Sequence, residues 1–449
     1  VKDPKYGELQ INEKGIKFES KDGNFEMAIN GRMQVDSQMN VQNANPTTVT
    51  AGNNAPSSTQ QLADGTNIRR ARLGVEGSYY KDFEYKFEYD FSRGGNSGVA
   101  AGITDAYFNW KGYSNLGVKI GSFKEPFSLE EATSNRWITF IERNMAVNAF
   151  SDNPNAYKTG LGLTWAEPRW QAAGAIMTEP VGGGWAYTTS SGSNGNNNRN
   201  SASGDSGFEI TGRVTGLPWY VDKTKFLHIG ASGSERWMPN NSQGRANAMR
   251  FNAALNSNVD RTAILDTGLL ALGSTITRMG GETAVVYGPF SAQAEYIQTD
   301  LSNSSSTTGA SQVDGATFKG YYGYVSYFLT GESRAYKGKT GAWDRLKPSR
   351  NFDMKGGLGA WEVAAGYDYL NLNSKGISGG EANTTKFGVN WYPNSHFKVM
   401  ANYIHVLDVQ PGYGAYNATT SVSSSAQPRQ NTWSGGNLDM FELRGQVDF

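Results

Sequence analysis

The sequence predicts an all-β fold: a transmembrane antiparallel β-barrel of about 16 strands with an inward-folded third extracellular loop. Three observations predict it. Short segments alternate strictly between apolar and charged residues, aromatic residues gather at the ends of those segments, and the connections between them alternate between short and long.

Alternation is clearest in Phe83–Phe91, where every odd residue is aromatic and every even one is charged. An early segment places Phe25, Met27, Ile29, Met33 and Val35 opposite Glu26, Asn30, Arg32, Gln34 and Asp36. The last places Phe441, Leu443, Val447 and Phe449 opposite Glu442, Arg444, Gln446 and Asp448. The same period runs through Ala71–Tyr79, Ala106–Trp110, Phe290–Tyr296, Trp361–Tyr369, Phe387–Trp391 and Phe397–Tyr403. A soluble β-sandwich also alternates. The aromatics decide between the two, because Tyr79, Tyr80, Phe83, Trp110, Tyr113, Trp391 and Tyr392 sit beside tight turns, where an interfacial girdle places them. An aromatic residue at the free carboxylate, here Phe449, is common in barrels inserted by the bacterial outer-membrane assembly machinery.

Short links fall at Lys81-Asp82, Lys111–Asn115, Glu167-Pro168, Gly288-Pro289 and Pro393-Asn394. Between them lie long Ser/Asn/Gly/Thr-rich stretches at Ser37–Asn67, Thr178–Gly207, Pro239–Gly281, Asp300–Ala316 and Asp408–Asn437. Short turns on one side and long loops on the other are the pattern of periplasmic turns and extracellular loops. The predicted strands cover 25–36, 68–80, 83–92, 102–111, 115–123, 157–166, 168–177, 208–217, 225–237, 282–288, 289–299, 317–330, 357–371, 382–392, 395–406 and 438–449. Residues 1–24 are expected to form an N-terminal periplasmic segment and 25–449 the barrel. Gly331–Gly357 breaks the pattern, being long and basic (Arg334, Lys337, Lys339, Arg345, Lys347, Arg350) on the short-turn side, and is read as a folded periplasmic turn.

Composition removes other classes. Mean hydropathy is −0.54, and no run approaches the roughly 18 apolar residues of a spanning helix. The absence of cysteine suits an oxidising compartment, and no signal peptide precedes Val1, as expected of either a mature, processed chain or a soluble one. The 41 basic residues balance 41 acidic ones, which argues against nucleic acid as a partner and against a wholly basic pore lining. Three histidines, His228, His396 and His405, with no G-x-S-x-G that stands out, give no nucleophile–base set. No enzyme activity, cofactor or metal site is expected.

After the fifth predicted strand, residues 124–156 are too apolar for a free loop. Pro126, Ser128 and two glutamates read as a helix start, with Leu129, Ala132 and Trp137 on its buried side. This loop is expected to fold into the barrel and narrow it. The stretch FKEPFSLEEATSNRWITFIERN resembles the phosphate-selective porin O/P family. NGRMQVD at Asn30–Asp36, RRARLGVEG at Arg69–Gly77, GPFSAQAEY at Gly288–Tyr296, FLTGESRAYKG at Phe328–Gly338 and FGVNWYPN at Phe387–Asn394 extend the resemblance over nearly the whole chain. It implies a trimeric, 16-stranded bacterial outer-membrane channel, in contact with lipid and lipopolysaccharide, whose third loop forms the constriction. Residues at matching positions are Arg32, Arg70, Arg72, Arg136 and Arg143, with Asp105, Ser134 and Asn135. At the position of the family's central third-loop lysine stands Glu131, and at that of an entry-path lysine stands Glu84.

Across the loop, Glu125, Glu130, Glu131 and Glu142 slightly outnumber Lys124, Arg136 and Arg143. Rings of one sign select ions, whereas mixed walls pass small polar solutes with weak preference. The sequence therefore points to a general or weakly selective porin for ions and small polar solutes. The alternatives are a phosphate- or anion-selective channel and a barrel that mainly tethers a partner or surface layer.

Overall fold

The computed structural model describes residues 2–3, 7–12, 15–42, 47–48, 62–93, 102–152, 156–178, 180–181, 187–188, 207–237, 247–267, 270–272, 275–302, 315–375, 377–412, 431–432 and 438–449. Much of the long loop stretches predicted between strands, with Arg245 among them, lies outside the described residues.

Sixteen antiparallel strands close into a barrel. They are β1 (Phe25–Gln42), β2 (Gly65–Tyr79), β3 (Phe83–Asp90), β4 (Ile103–Tyr113), β5 (Leu116–Lys124), β6 (Tyr157–Ala166), β7 (Trp170–Met177) and β8 (Phe208–Asp222). Then come β9 (Lys225–Trp237), β10 (Thr275–Tyr287), β11 (Phe290–Ser302), β12 (Ala316–Phe328), β13 (Ala360–Ser374), β14 (Ile377–Asn394), β15 (Phe397–Gln410) and β16 (Leu438–Asp448). Each strand pairs with its neighbours in sequence, and β16 returns to β1 with Asp448 opposite Arg32 and Leu438 opposite Gln42. At this seam the terminal residue and Gly31 exchange backbone hydrogen bonds of 3.0 and 3.1 Å. The Phe449 ring lies so close that a Cβ on Gly31 would stand 2.7 Å from it.

Polarity is inverted relative to a soluble protein. Met33, Leu73, Phe87, Ile120, Leu163, Val214, Phe387 and Leu443 are exposed on the outer surface, while Arg32, Glu88, Lys158, Glu209, Arg278, Glu362, Lys386 and Arg444 are buried on the inner one. Apolar side chains turned outward are stable only where no water meets them, and a closed barrel leaves no unpaired strand edge in lipid.

Several strands run further toward the loop side than their alternation indicates. β10 begins at Thr275 rather than 282, and β1 continues to Gln42. Beyond the lipid belt the outer face need not be apolar, so the sequence signal fades while the backbone ladder to β9 continues from Tyr287 to Thr275. The aromatics also divide more evenly than parity predicts: Phe226, Phe318, Tyr322, Tyr324 and Phe328 are buried. Phe318, Tyr322 and Tyr324 share a core with Met145, Val147, Phe150 and Leu255 of the third loop and the segment around Phe251–Leu265, whereas Phe226 packs with Leu129 and Trp343 and Phe328 with Leu346 and Ala360.

The basic link between β12 and β13 spans residues 329–359 and contains the short paired strands Tyr336–Lys337 and Ala342–Trp343. It reaches the third loop. The Trp343 backbone N–H donates to Thr133 Oγ1 (3.3 Å), its indole N–H to Gln293 Oε1 (2.5 Å), and its ring packs with Leu129, Phe226 and Val286.

Candidate permeation site

The third loop, between β5 and β6, takes its shape from its own sequence and is held by charges on the strands. Leu129–Ala132 form one helical turn, capped by Ser128, whose hydroxyl accepts the Glu131 N–H (3.2 Å). Beneath the same end sits the Glu295 carboxylate of β11, accepting the N–H groups of Leu129 (3.1 Å) and Glu130 (2.7 Å) and the hydroxyl of Tyr322. A second short turn, Met145–Val147, is held by Asp368 of β13, which accepts the Met145 N–H at 2.8 Å. Lys386 of β14 donates to the Asn144 side chain and lies 3.4 Å from Asp368.

Arg278 of β10 ties the two ends of the loop together. Its guanidinium donates to both oxygens of Glu125 (2.9 and 2.6 Å) at the loop's start and to the Phe150 carbonyl (2.6 Å) near its end. It also lies over the Phe127 ring, 4.7 Å from the centroid. Glu125 and Glu209 are shared further with Lys158 (2.6 and 3.0 Å), and Glu209 with Arg236 (2.7 Å). On the far side, Glu142 receives Arg69 (2.7 Å) and Arg444 (2.8 Å), and Arg444 grips Asp36 through two bonds of 2.6 Å. Such buried, mutually hydrogen-bonded charges hold geometry because removing one partner strands the other.

Glu131 is buried between Lys124 (2.7 Å) and Arg143 (3.3 Å). Arg143 also donates to the carbonyls of Glu130 and Thr133, each at 3.1 Å. These three groups sum to about one positive charge when all are ionised. Ser134 and Asn135 meet Arg32 of β1 (3.5 and 2.5 Å). Arg32 also binds Glu88, which Arg72 contacts at 2.9 Å, while Arg72 reaches Asp90 (2.8 Å) and the Tyr157 hydroxyl (3.0 Å). Arg70 donates to Gln34 (2.9 Å). Arg136 lies over the Trp137 ring at 5.1 Å and donates to Ser134 Oγ (3.3 Å). Glu84 and Asp105 stand apart from the loop: Glu84 accepts from Asn109 (3.0 Å) and pairs with Lys111, and Asp105 pairs with Lys86 (3.0 Å).

Two open cavities remain toward the short-turn side, of about 470 and 430 Å³, and both touch Ala28 and Glu76. Glu26, Glu76 and Glu84 lie along their strand wall. Arg136, Arg345 and Lys347 face the larger one from the loop and the long turn.

Burial pushes the Glu130 carboxyl above the ordinary range, with Lys386 and hydrogen bonds from Asn144 (2.9 and 2.7 Å) only partly opposing it. Burial acts on Glu142 too, but the guanidiniums of Arg69, Arg444 and Arg70 together outweigh it and hold the carboxyl well below the ordinary range. As the pH falls toward the carboxylate range, Glu130 is therefore expected to take a proton before Glu142 does. The folded state then binds the extra proton, so its gain in stability is complete below the unfolded carboxyl value and is lost as pH rises through the elevated one. Denaturation temperature measured against pH in detergent checks this: the stability of wild type relative to Glu130→Gln falls as the pH rises from acid to neutral.

Of the residues singled out in sequence, the fold unites Lys124, Glu131 and Arg143, joins Ser134 and Asn135 to Arg32, and leaves Glu84 and Asp105 on a separate wall. Sequence reasoning missed Arg278 and Arg69 and did not find the anchoring role of Glu295. Their signal was available in part: each of Arg278 and Glu295 is a charged residue at an inward position of a strand.

A closed 16-stranded barrel with an apolar exterior, a charged interior and a loop anchored to its inward-facing charges defines the porin class of bacterial outer-membrane channels. Residues 29–427 match the profile described as phosphate-selective porin O and P, and the chain belongs to that family. It is 27% identical over 366 residues to Porin O of Pseudomonas aeruginosa, covering 76% of each chain. Its fold is similar to the anion-selective porin from Comamonas acidovorans (TM-score 0.51, 10% identity, covering 95% of this chain and 100% of that one). It is also similar to the trimer form of OmpT, an outer membrane protein of Vibrio cholerae (TM-score 0.50, 10% identity, 95% and 99%). The protein is located in the bacterial outer membrane.

Proposed function

We propose that the protein is a general or weakly selective diffusion channel whose third loop, residues 124–156, lies in the lumen and sets its narrowest point. Contacts from that loop to β1, β10, β11, β13, β14 and β16 support its placement. The observation that carries weak selectivity is the Lys124–Glu131–Arg143 group, because an acid set between two cations halves their charge and weakens the local anion well. Cavity linings of mixed sign on the short-turn side, where Lys81 and Lys86 stand among Glu26, Glu76 and Glu84, act in the same direction. The constriction residues on this reading are Lys124, Glu125, Glu130, Glu131, Ser134, Asn135, Arg136, Glu142 and Arg143. The charges Arg32, Arg70, Arg72, Glu84 and Asp105 line the approaches.

Purified protein in a planar bilayer should give steady ohmic steps in KCl and a reversal potential close to zero under a KCl gradient. Strong anion selectivity with block by millimolar phosphate would overturn weak selectivity, and absence of conductance would overturn the channel itself. The trimer form of the Vibrio cholerae protein supports a homotrimer here. An unheated sample in gel electrophoresis should then run as a trimer and collapse to monomer on boiling.

A further inference from the structure

The N-terminal segment bears an apolar face that neither the barrel nor the channel explains. Gly7–Asn12 and Gly15–Ser20 form an antiparallel hairpin with Leu9 opposite Phe18 and Ile11 opposite Ile16. The second of these strands pairs with β1, Ile16 opposite Ile29 and Phe18 opposite Met27. The C-terminal end follows β1 as far as Gly31, bonded to Phe449, and the hairpin takes over the same edge from Ile29. The hydrogen bonds of that edge are thereby satisfied by the chain's own N-terminal segment.

The two faces of the hairpin differ. Leu9, Ile11, Ile16 and Phe18 fall on one side and continue through Met27 and Ile29 into the outward-facing positions of β1 that include Met33. Glu8, Gln10, Lys17 and Glu19 fall on the other, with Lys17 paired to Glu26 at 3.0 Å. Ile11 is 72% exposed and Ile16 38%, with no protein surface over them among the described residues. Phe18, Phe25, Tyr79 and Tyr85 form an aromatic row, with Phe25 centroids 6.1, 5.9 and 6.3 Å from the other three. Register sets Ile16 two residues further along β1 than Phe18, on the barrel-centre side of that row. Aromatic rows mark the water–lipid boundary, so these isoleucines stand at the level of the membrane rather than below it.

We propose that the hairpin is a membrane-interface contact: its apolar face rests on the headgroup–acyl boundary of the periplasmic leaflet and continues the barrel's apolar belt past the seam. Phospholipid is the occupant because the face is continuous with the belt that the outer membrane already covers, while the opposite face carries the charges that stay in water.

The chain has no cysteine, so single labels are clean. Ile11→Cys and Gln10→Cys, each carrying an environment-sensitive fluorophore, are reconstituted in phospholipid vesicles containing a nitroxide lipid labelled near the headgroup. Heat-modifiable mobility and unaltered conductance certify that each variant is folded. The proposal expects blue-shifted emission and severalfold stronger nitroxide quenching at Ile11→Cys than at Gln10→Cys. Equal, water-like emission at both positions overturns it. Ready disulfide formation between copies at unlabelled Ile11→Cys, with no nitroxide quenching of the label, also overturns it and assigns the face to a second copy. The channel reading is untouched by either result, since conductance is measured on the same samples.

Discussion

Arg278→Ala should both destabilise the barrel and open it. The guanidinium holds Glu125 and Phe150, near the two ends of the third loop, and lies over Phe127 between them. Its loss leaves Glu125 and Glu209 buried with only Lys158 and Arg236 to compensate. Breaking a buried, hydrogen-bonded ion pair from one side typically costs about 3–5 kcal/mol. The folded band in unheated gels should therefore convert to the unfolded form at a distinctly lower temperature. Single-channel traces should show larger, noisier steps as the loop leaves its seat. Arg278→Lys restores the charge but not the fork, so it should fall between the two. Unchanged conductance in the alanine variant would mean that the loop is not held by this residue.

Glu131→Gln should turn weak preference into clear anion preference. The substitution keeps the volume and removes the one negative charge between Lys124 and Arg143. A unit charge at about 4 Å contributes on the order of 1 kcal/mol in water and roughly 4 kcal/mol at an intermediate effective dielectric. Even the lower figure corresponds to about a fivefold change in the chloride-to-potassium permeability ratio, readable as a shifted reversal potential. Glu131→Asp should stay near wild type. Adding Lys124→Gln to Glu131→Gln should restore the balance, and the double-mutant cycle then gives the coupling between the two groups directly. A reversal potential that does not move in Glu131→Gln would place this group away from the ion path.

The barrel was legible because the alternation it imposes is local. Phe83–Phe91 states its two faces residue by residue, and the strand count follows from segments like it. The strand ends were less legible, since in Thr275–Gly281 of β10 the inner face carries Ile276 and the outer face Thr275 and Thr277, which breaks the apolar-out alternation while the ladder continues. Glu131 was legible as an acid of the third loop, but its partners were not. Lys124 and Arg143 lie seven positions before and twelve after, and only the fold of an irregular loop brings them together. The contact between Trp343 and Thr133 was out of reach for a similar reason: it joins a turn and a loop some two hundred positions apart, with no period to signal it.

The seam between β1 and β16 carries a consequence for how the chain reaches its final state. Asp36 and Arg444, partners across that seam, are among the earliest and latest residues of the barrel. Every other strand can find a neighbour as it emerges, but this pair forms only when the whole sheet has curled. Until then, β1 and β16 present open edges, and the inner charges that Arg444 completes, Asp36 and Glu142, lack one of their cations. Closure is therefore the step with the largest loop entropy and the largest electrostatic reward, so the open sheet is the species that waits. Folding of this barrel should be limited by its last strand, and slowing or truncating β16 should accumulate an open, protease-sensitive sheet rather than a smaller barrel.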